Sequence, residues 1–121
     1  MGDFNSDGNL DLLIGASTYP YVFTGNGDGT FNDYIRDPVH AHIEPYEVAD
    51  FNQDGNLDVL VGTTLVLGNG DGTFRKGQEV VTELGQFPGA VADFNHDGFP
   101  DVVTAGNITG SMSIVLNTGL K

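Results

Sequence analysis

Apolar residues fall in short clusters of three to six, separated by segments dense in Gly, Asp and Asn. Tyr46-Glu47-Val48-Ala49-Asp50-Phe51 and Ala90-Val91-Ala92-Asp93-Phe94 read as strands running into an acidic segment. Leu57 to Val61 and Asp101 to Thr104 read as strands leaving it, because they are short and rich in β-branched residues. Leu65-Val66-Leu67 and Ser113 to Leu116 supply a third strand, and Thr73-Phe74 opens a fourth that runs to about Val81. Between the third and fourth strands lies Gly-Asn-Gly-Asp-Gly, whose residues tolerate positive φ and close a hairpin. No stretch keeps a helical period over the 11–18 residues a helix requires.

The pattern repeats. DFNSDGNLDLLIG begins at Asp3, DFNQDGNLDVLVG at Asp50 and DFNHDGFPDVVTAG at Asp93. GNGDGTF begins at Gly25 and recurs at Gly68, with a weak echo at Leu116-Asn117-Thr118-Gly119. Four short antiparallel strands in a unit of about 43 residues match one propeller blade. The predicted fold is all-β, with about two and a half to three blades in one repeat domain. The units span approximately 1–44, 45–86 and 87–121.

Each acidic segment reads Asp-Phe-Asn-x-Asp-Gly-x-x-Asp, with oxygen donors at positions one, three, five and nine and Gly at six. Alternating donors can wrap one hard cation, and the carbonyl of the seventh residue can add an oxygen, as in an EF-hand loop. The candidate ligands are Asp3, Asn5, Asp7, the Asn9 carbonyl and Asp11 in the first loop. The second loop offers Asp50, Asn52, Asp54, the Asn56 carbonyl and Asp58. The third offers Asp93, Asn95, Asp97, the Phe99 carbonyl and Asp101. Hard oxygens in this number favour Ca²⁺ over Zn²⁺ or the stricter octahedral Mg²⁺. An EF-hand would place its last acid at position twelve and continue into a helix, whereas here strand residues follow position nine. Asp28 and Asp71, in the GNGDG segments, read as turn residues rather than ligands.

Charge sharpens this picture. The formal net charge is −13, and nine of the seventeen acidic residues sit in the three loops. Three carboxylates about 5 Å apart repel by roughly 1 kcal/mol per pair even in water, so a cation makes each loop tolerable. The same charge argues against nucleic acid and anionic membranes as partners. There is no Cys to form a disulfide or thiolate site and no apolar run long enough for membrane insertion. Met1-Gly2 leads directly into an acidic motif rather than a signal peptide, so the expectation is either a protein that is not exported or the interior of a longer exported chain.

The two motifs together resemble the FG-GAP/VCBS repeat of integrin-α-like β-propellers, and the resemblance covers nearly the whole chain. It implies a seven- or eight-bladed propeller, an extracellular or cell-surface setting, and calcium in the hairpin between a blade's first two strands. All three loops match the motif at every acidic and Asn position. The chain starts just after a first strand is expected and stops just after a third, which leaves ten strands and open edges. Either copies self-associate or the chain is part of a longer propeller.

The leading functional expectation is a non-catalytic binding or adhesion module for a glycan or protein ligand. A polysaccharide lyase or other carbohydrate enzyme, and a purely structural assembly unit, are the alternatives. Length varies at Ser17-Thr18-Tyr19-Pro20 and Gly106 to Gly110, in the turn opposite the calcium loops, which makes that face the candidate recognition surface. Its individual residues are weak signals: His40 and His42, Tyr19, Tyr21 and Tyr46, and the glycosylation sequon Asn107-Ile108-Thr109 all have ordinary surface or packing explanations. Three complete loops predict three Ca²⁺ per chain. Calorimetric titration should count them, and fewer than two at millimolar calcium contradicts the assignment.

Overall fold

The computed structural model describes residues 1–16, 19–36, 46–80, 86–106 and 110–119. These residues form ten strands and no helix. Unit 1 contains β1 (Leu12–Ala16), β2 (Tyr19–Phe23) and β3 (Ile35–Arg36). Unit 2 contains β4 (Tyr46–Ala49), β5 (Asp58–Val61), β6 (Thr64–Gly68) and β7 (Phe74–Glu79). Unit 3 contains β8 (Gln86–Ala92), β9 (Asp101–Gly106) and β10 (Met112–Val115). Within each unit the strands pair antiparallel, in sheets ordered β1-β2-β3, β4-β5-β6-β7 and β10-β9-β8. The fold is all-β and consists of propeller blades in series.

The units superpose in register. Leu12 pairs with Phe23, Val59 with Val66 and Val102 with Val115. One residue further on, Leu13 pairs with Val22, Leu60 with Leu65 and Val103 with Ile114. Because side chains alternate along a strand, these two sets point to opposite faces of their sheets. The first strand of unit 1 is marked by a single bridge, Gly2 to Asp11, at the place where Ala49 pairs with Asp58 and Ala92 with Asp101. Among the described residues its fourth strand is represented by β3 and the bridge Gly25–Phe31, the counterpart of the Gly68–Phe74 pair.

The boundaries correct the sequence reading in three places. β4 and β8 stop at Ala49 and Ala92 rather than continuing through the Asp-Phe pair, because the first Asp of each motif already accepts hydrogen bonds from the loop it opens. β8 starts at Gln86, four residues before the strand expected from Ala90. It accommodates Pro88 because the register slips between Pro88 and Ala90, on a strand at the edge of its sheet. β7 ends at Glu79, and Val81 lies outside the described residues.

The core lies between units. Phe4, Leu13 and Val22 of unit 1 pack against Val59, Val66 and Phe74 of unit 2. Phe51, Leu60 and Leu65 of unit 2 pack against Val102 of unit 3. Leu60, Leu65 and Val22 are fully buried, each contributing on the order of 1.5–3 kcal/mol. The Phe at motif position two shows how far burial depends on a neighbour. Phe4 is 3% exposed, edge-on to Phe74 with ring centroids 5.8 Å apart. Phe51 is 4% exposed, whereas Phe94, with no unit packed over it, is 42% exposed. Phe51→Ala should therefore cost about 3 kcal/mol or more, as large core truncations do, and Phe94→Ala about 1 kcal/mol or less. Equal shifts in urea unfolding midpoint would show that the interface between units is not where the stability resides.

Candidate metal centre

Each acidic segment folds through the same local sequence of hydrogen bonds. The Asp3 carboxylate accepts the backbone N–H groups of Asp7 (3.1 Å) and Gly8 (2.8 Å). Asn5 Oδ1 accepts the same Asp7 N–H at 3.2 Å, which brings the oxygens of positions one and three onto one donor. Asp7 in turn accepts the Asn9 N–H at 2.8 Å and the Asn5 amide at 2.9 Å. Asp50, Asn52 and Asp54 repeat this in unit 2, and Asp93, Asn95 and Asp97 in unit 3, each within 0.2 Å of the first loop. The turn forces position four into the left-handed region, with φ of 59° at Ser6, 57° at Gln53 and 60° at His96. Position six lies there too, at 87°, 91° and 92° for Gly8, Gly55 and Gly98. A Cβ at Gly8 or Gly55 would meet nothing within 4 Å, so Gly is needed there for its φ and not for space.

The ninth position has a different task. Asp11, Asp58 and Asp101 are completely buried. Asp11 accepts the Phe4 N–H at 2.7 Å and the Gly25 N–H at 2.8 Å. Asp58 accepts from Phe51 at 2.8 Å and Gly68 at 2.9 Å. Asp101 accepts from Phe94 at 2.9 Å and Asn117 at 2.8 Å. One carboxylate thus ties the start of its loop to the start of the next hairpin turn. Burial pushes the Asp58 carboxyl above the usual range, against the pull of the Gly68, Phe51 and Asn52 N–H groups, and the nearby Asp54 charge pushes the same way. At position five the direction reverses. The Asn56 N–H and then the Asn52 amide hold Asp54 below the usual range, and the Asn9 N–H and Asn5 amide do so for Asp7.

The structure brings positions one, three and five together in all three loops and turns position nine into a buried strut. Among the described residues, no three His, Cys, Asp or Glu side chains gather around a common point as a metal cluster. The donor set nevertheless fits a hard cation in its chemistry: it is all oxygen, with exposed carboxylates beside a desolvated one that Asp54 already repels. Asp28 and Asp71 accept both the N–H and the hydroxyl of Thr30 and Thr73, the hydrogen bonding of a turn residue. Those hairpin turns sit against the acidic loops. A Cβ on Gly27 or Gly70 would collide with the side-chain oxygen of Asn9 or Asn56.

Two residues at this end of the blades escaped the sequence reading. Arg75 donates to Asp54 Oδ2 at 3.3 Å and to Asn69 Oδ1 at 2.8 Å, joining loop and turn in unit 2. Nothing in its local sequence marks it. Asn117 stands where the other units have Gly25 and Gly68, and its side chain reaches back to the Phe51 carbonyl at 2.8 Å. Aligning the weak third echo residue by residue with GNGDG would have found it. His96 is exposed, as its non-ligand position suggests. His40, His42 and Asn107 to Thr109 lie outside the described residues, as do the side chains of Tyr19 and Tyr46. Tyr21 packs edge-on against Tyr34, with centroids 5.0 Å apart.

The FG-GAP-like repeat profile matches residues 3–61 and again 50–104. The chain belongs to the FG-GAP-like repeat family. The two matches overlap across the second acidic loop, so each spans one loop-to-loop period of the FG-GAP-like repeat. Neither the curated proteins nor the solved structures compared with the chain contain a match.

The two carboxylate tasks separate in mutants. With calcium removed by EDTA, Asp58→Ala should still cost about 2–4 kcal/mol, because it strands two buried N–H donors. Asp54→Ala should cost about 1 kcal/mol or less under the same conditions and lose more only when calcium is present. Asp71→Ala should show a small loss that calcium leaves unchanged. Denaturant titration of the three variants with and without calcium provides the check, and a calcium-dependent Asp71→Ala would overturn its place as a turn residue.

Proposed function

We propose that this FG-GAP-like chain is a calcium-stabilised propeller module acting as a non-catalytic scaffold that binds a glycan or protein ligand. The observation that carries the reading is the threefold recurrence of one oxygen-only loop, with Asp and Asn at positions one, three and five and a buried Asp at nine. Each loop would hold one Ca²⁺ through those side chains and the carbonyl of Asn9, Asn56 or Phe99. When bound, the ion supplies positive charge that relieves carboxylate repulsion. The protein residues do the rest: the ninth Asp fixes the loop to two strands, and the Gly at six sets its turn.

An extracellular or cell-surface setting fits this reading, because oxygen-ligand modules outside cells bind calcium at about 10⁻⁴–10⁻³ M. Loops and GNGDG turns are packed together at one end of the blades, as the Arg75–Asp54 contact shows for unit 2. Recognition then falls to the opposite end, where repeat length varies.

Binding to the folded state alone adds stability by mass action, about 4 kcal/mol for a site at a thousandfold its Kd. EDTA should therefore lower the melting temperature sharply, with recovery on adding Ca²⁺ and not Mg²⁺. A glycan array probed with the calcium-loaded chain should give hits that EDTA abolishes. An EDTA-insensitive melt removes the calcium reading, and turnover of a uronate polysaccharide removes the non-catalytic one.

A further inference from the structure

Units 1 and 3 each present an apolar face on the side away from unit 2, and each corresponds to one half of an interface already formed inside the chain. At the junction of units 1 and 2, unit 1 presents Phe4, Leu13 and Val22, and unit 2 presents Val59, Val66 and Phe74. The paired registers place Phe94, Val103 and Ile114 of unit 3 where Phe4, Leu13 and Val22 stand in unit 1. They place Leu12, Phe23 and Phe31 of unit 1 where Val59, Val66 and Phe74 stand in unit 2. These outer positions are open. Ile114 is 47% exposed against 2% for its counterpart Leu65, and Phe31 is 43% exposed against 6% for Phe74. Ile14 and Leu10 extend the unit 1 face, and Leu116 extends that of unit 3.

Polar contacts point the same way. The Gly72 N–H donates to the Phe4 carbonyl at 2.9 Å across the first junction. Gln53 donates to the Gly98 carbonyl at 2.6 Å across the second. The equivalent pairs between the outer faces are Gly29 with Phe94, and His96 with Gly8. A Cβ at Gly29 would meet nothing within 4 Å, whereas one at Gly72 meets Ile35, Thr24 and Val22 of the preceding unit.

We propose that unit 3 of one copy docks on unit 1 of a second copy, head to tail, through the same apolar layer that joins the units within a chain. A second copy is the occupant these observations select, because each face has its complement on the other end of the same chain. Every strand that supplies the principal apolar residues of such a junction is present: β8, β9 and β10 flank one side, and β1, β2 and the Phe31 bridge the other. The contact is heterologous, so it closes into a ring if the rotation between units permits and otherwise extends. This proposal goes beyond the calcium and ligand reading and does not depend on it.

Ile14→Lys and Ile114→Lys each spoil one face at an exposed strand position. Both reduce the net charge of −13, so a loss of association cannot come from added repulsion. Light scattering at about 100 μM chain with calcium should give the unaltered protein at least twice the monomer mass. Each variant alone should be monomeric. An equimolar mixture should form a one-to-one dimer, since one variant keeps the unit 3 face and the other the unit 1 face. Melting curves verify folding, and Leu10→Lys with Leu116→Lys repeats the test at exposed positions outside the strands if either first variant fails to fold. A monomeric unaltered chain, a single variant that still self-associates, or a mixture that stays monomeric overturns the proposal. A monomer whose unit 1 face instead retains glycans overturns it as well.

Discussion

A fully buried carboxylate with at least one backbone N–H on each oxygen sits at the centre of every unit. Asp11, Asp58 and Asp101 join residues that are otherwise separated by an acidic loop and a hairpin. Without that bond the Phe at position two would lose the backbone anchor that fixes its entry into the core. The core between units is built around that Phe, so loop geometry and hydrophobic packing are one problem rather than two. An unpaired charge in such a place costs several kcal/mol. Here the cost is offset by at least two charge-assisted hydrogen bonds and, in the proposed loaded state, by the positive charge of the cation.

Most of this was legible from residues alone because the acidic motif states its own geometry. Asp at one, three and five, with Gly at six, admits few backbone paths, and the structure follows the same path three times. The β-branched residues after position nine gave the second strand, and the GNGDG segments gave the hairpins. Less legible was the division of labour among the acids. Sequence places Asp11 beside Asp3 and Asp7 as equals, and only three-dimensional pairing shows that its oxygens are engaged by Phe4 and Gly25. Arg75 was invisible for the same reason, since its partners Asp54 and Asn69 come from different turns. The early start of β8 was not legible either, because Pro88, which a central strand would reject, is accepted at an edge where the register slips.

The three copies also show where one pattern bends under different surroundings. Where unit 2 has β7, the described residues of unit 1 form a bridge and a two-residue strand, and Tyr34 beside them is in ring contact with both Tyr21 and Phe23. Unit 3 replaces a turn Gly with Asn117 and gains a side-chain tie to the preceding unit. Both changes leave the ninth-position strut intact. The variation is therefore confined to what surrounds the strut.

The carbonyl at position two of one loop is capped by the hairpin turn of the next unit: Gly72 caps Phe4, and Asn117 caps Phe51. A blade in this chain is consequently not an independent cooperative element. Its loop is completed by the blade that follows, so opening one unit uncaps the one before it. The molecule behaves as a short one-dimensional array with nearest-neighbour coupling. In such an array the member packed on both sides has the slowest amide exchange and the members packed on one side open first.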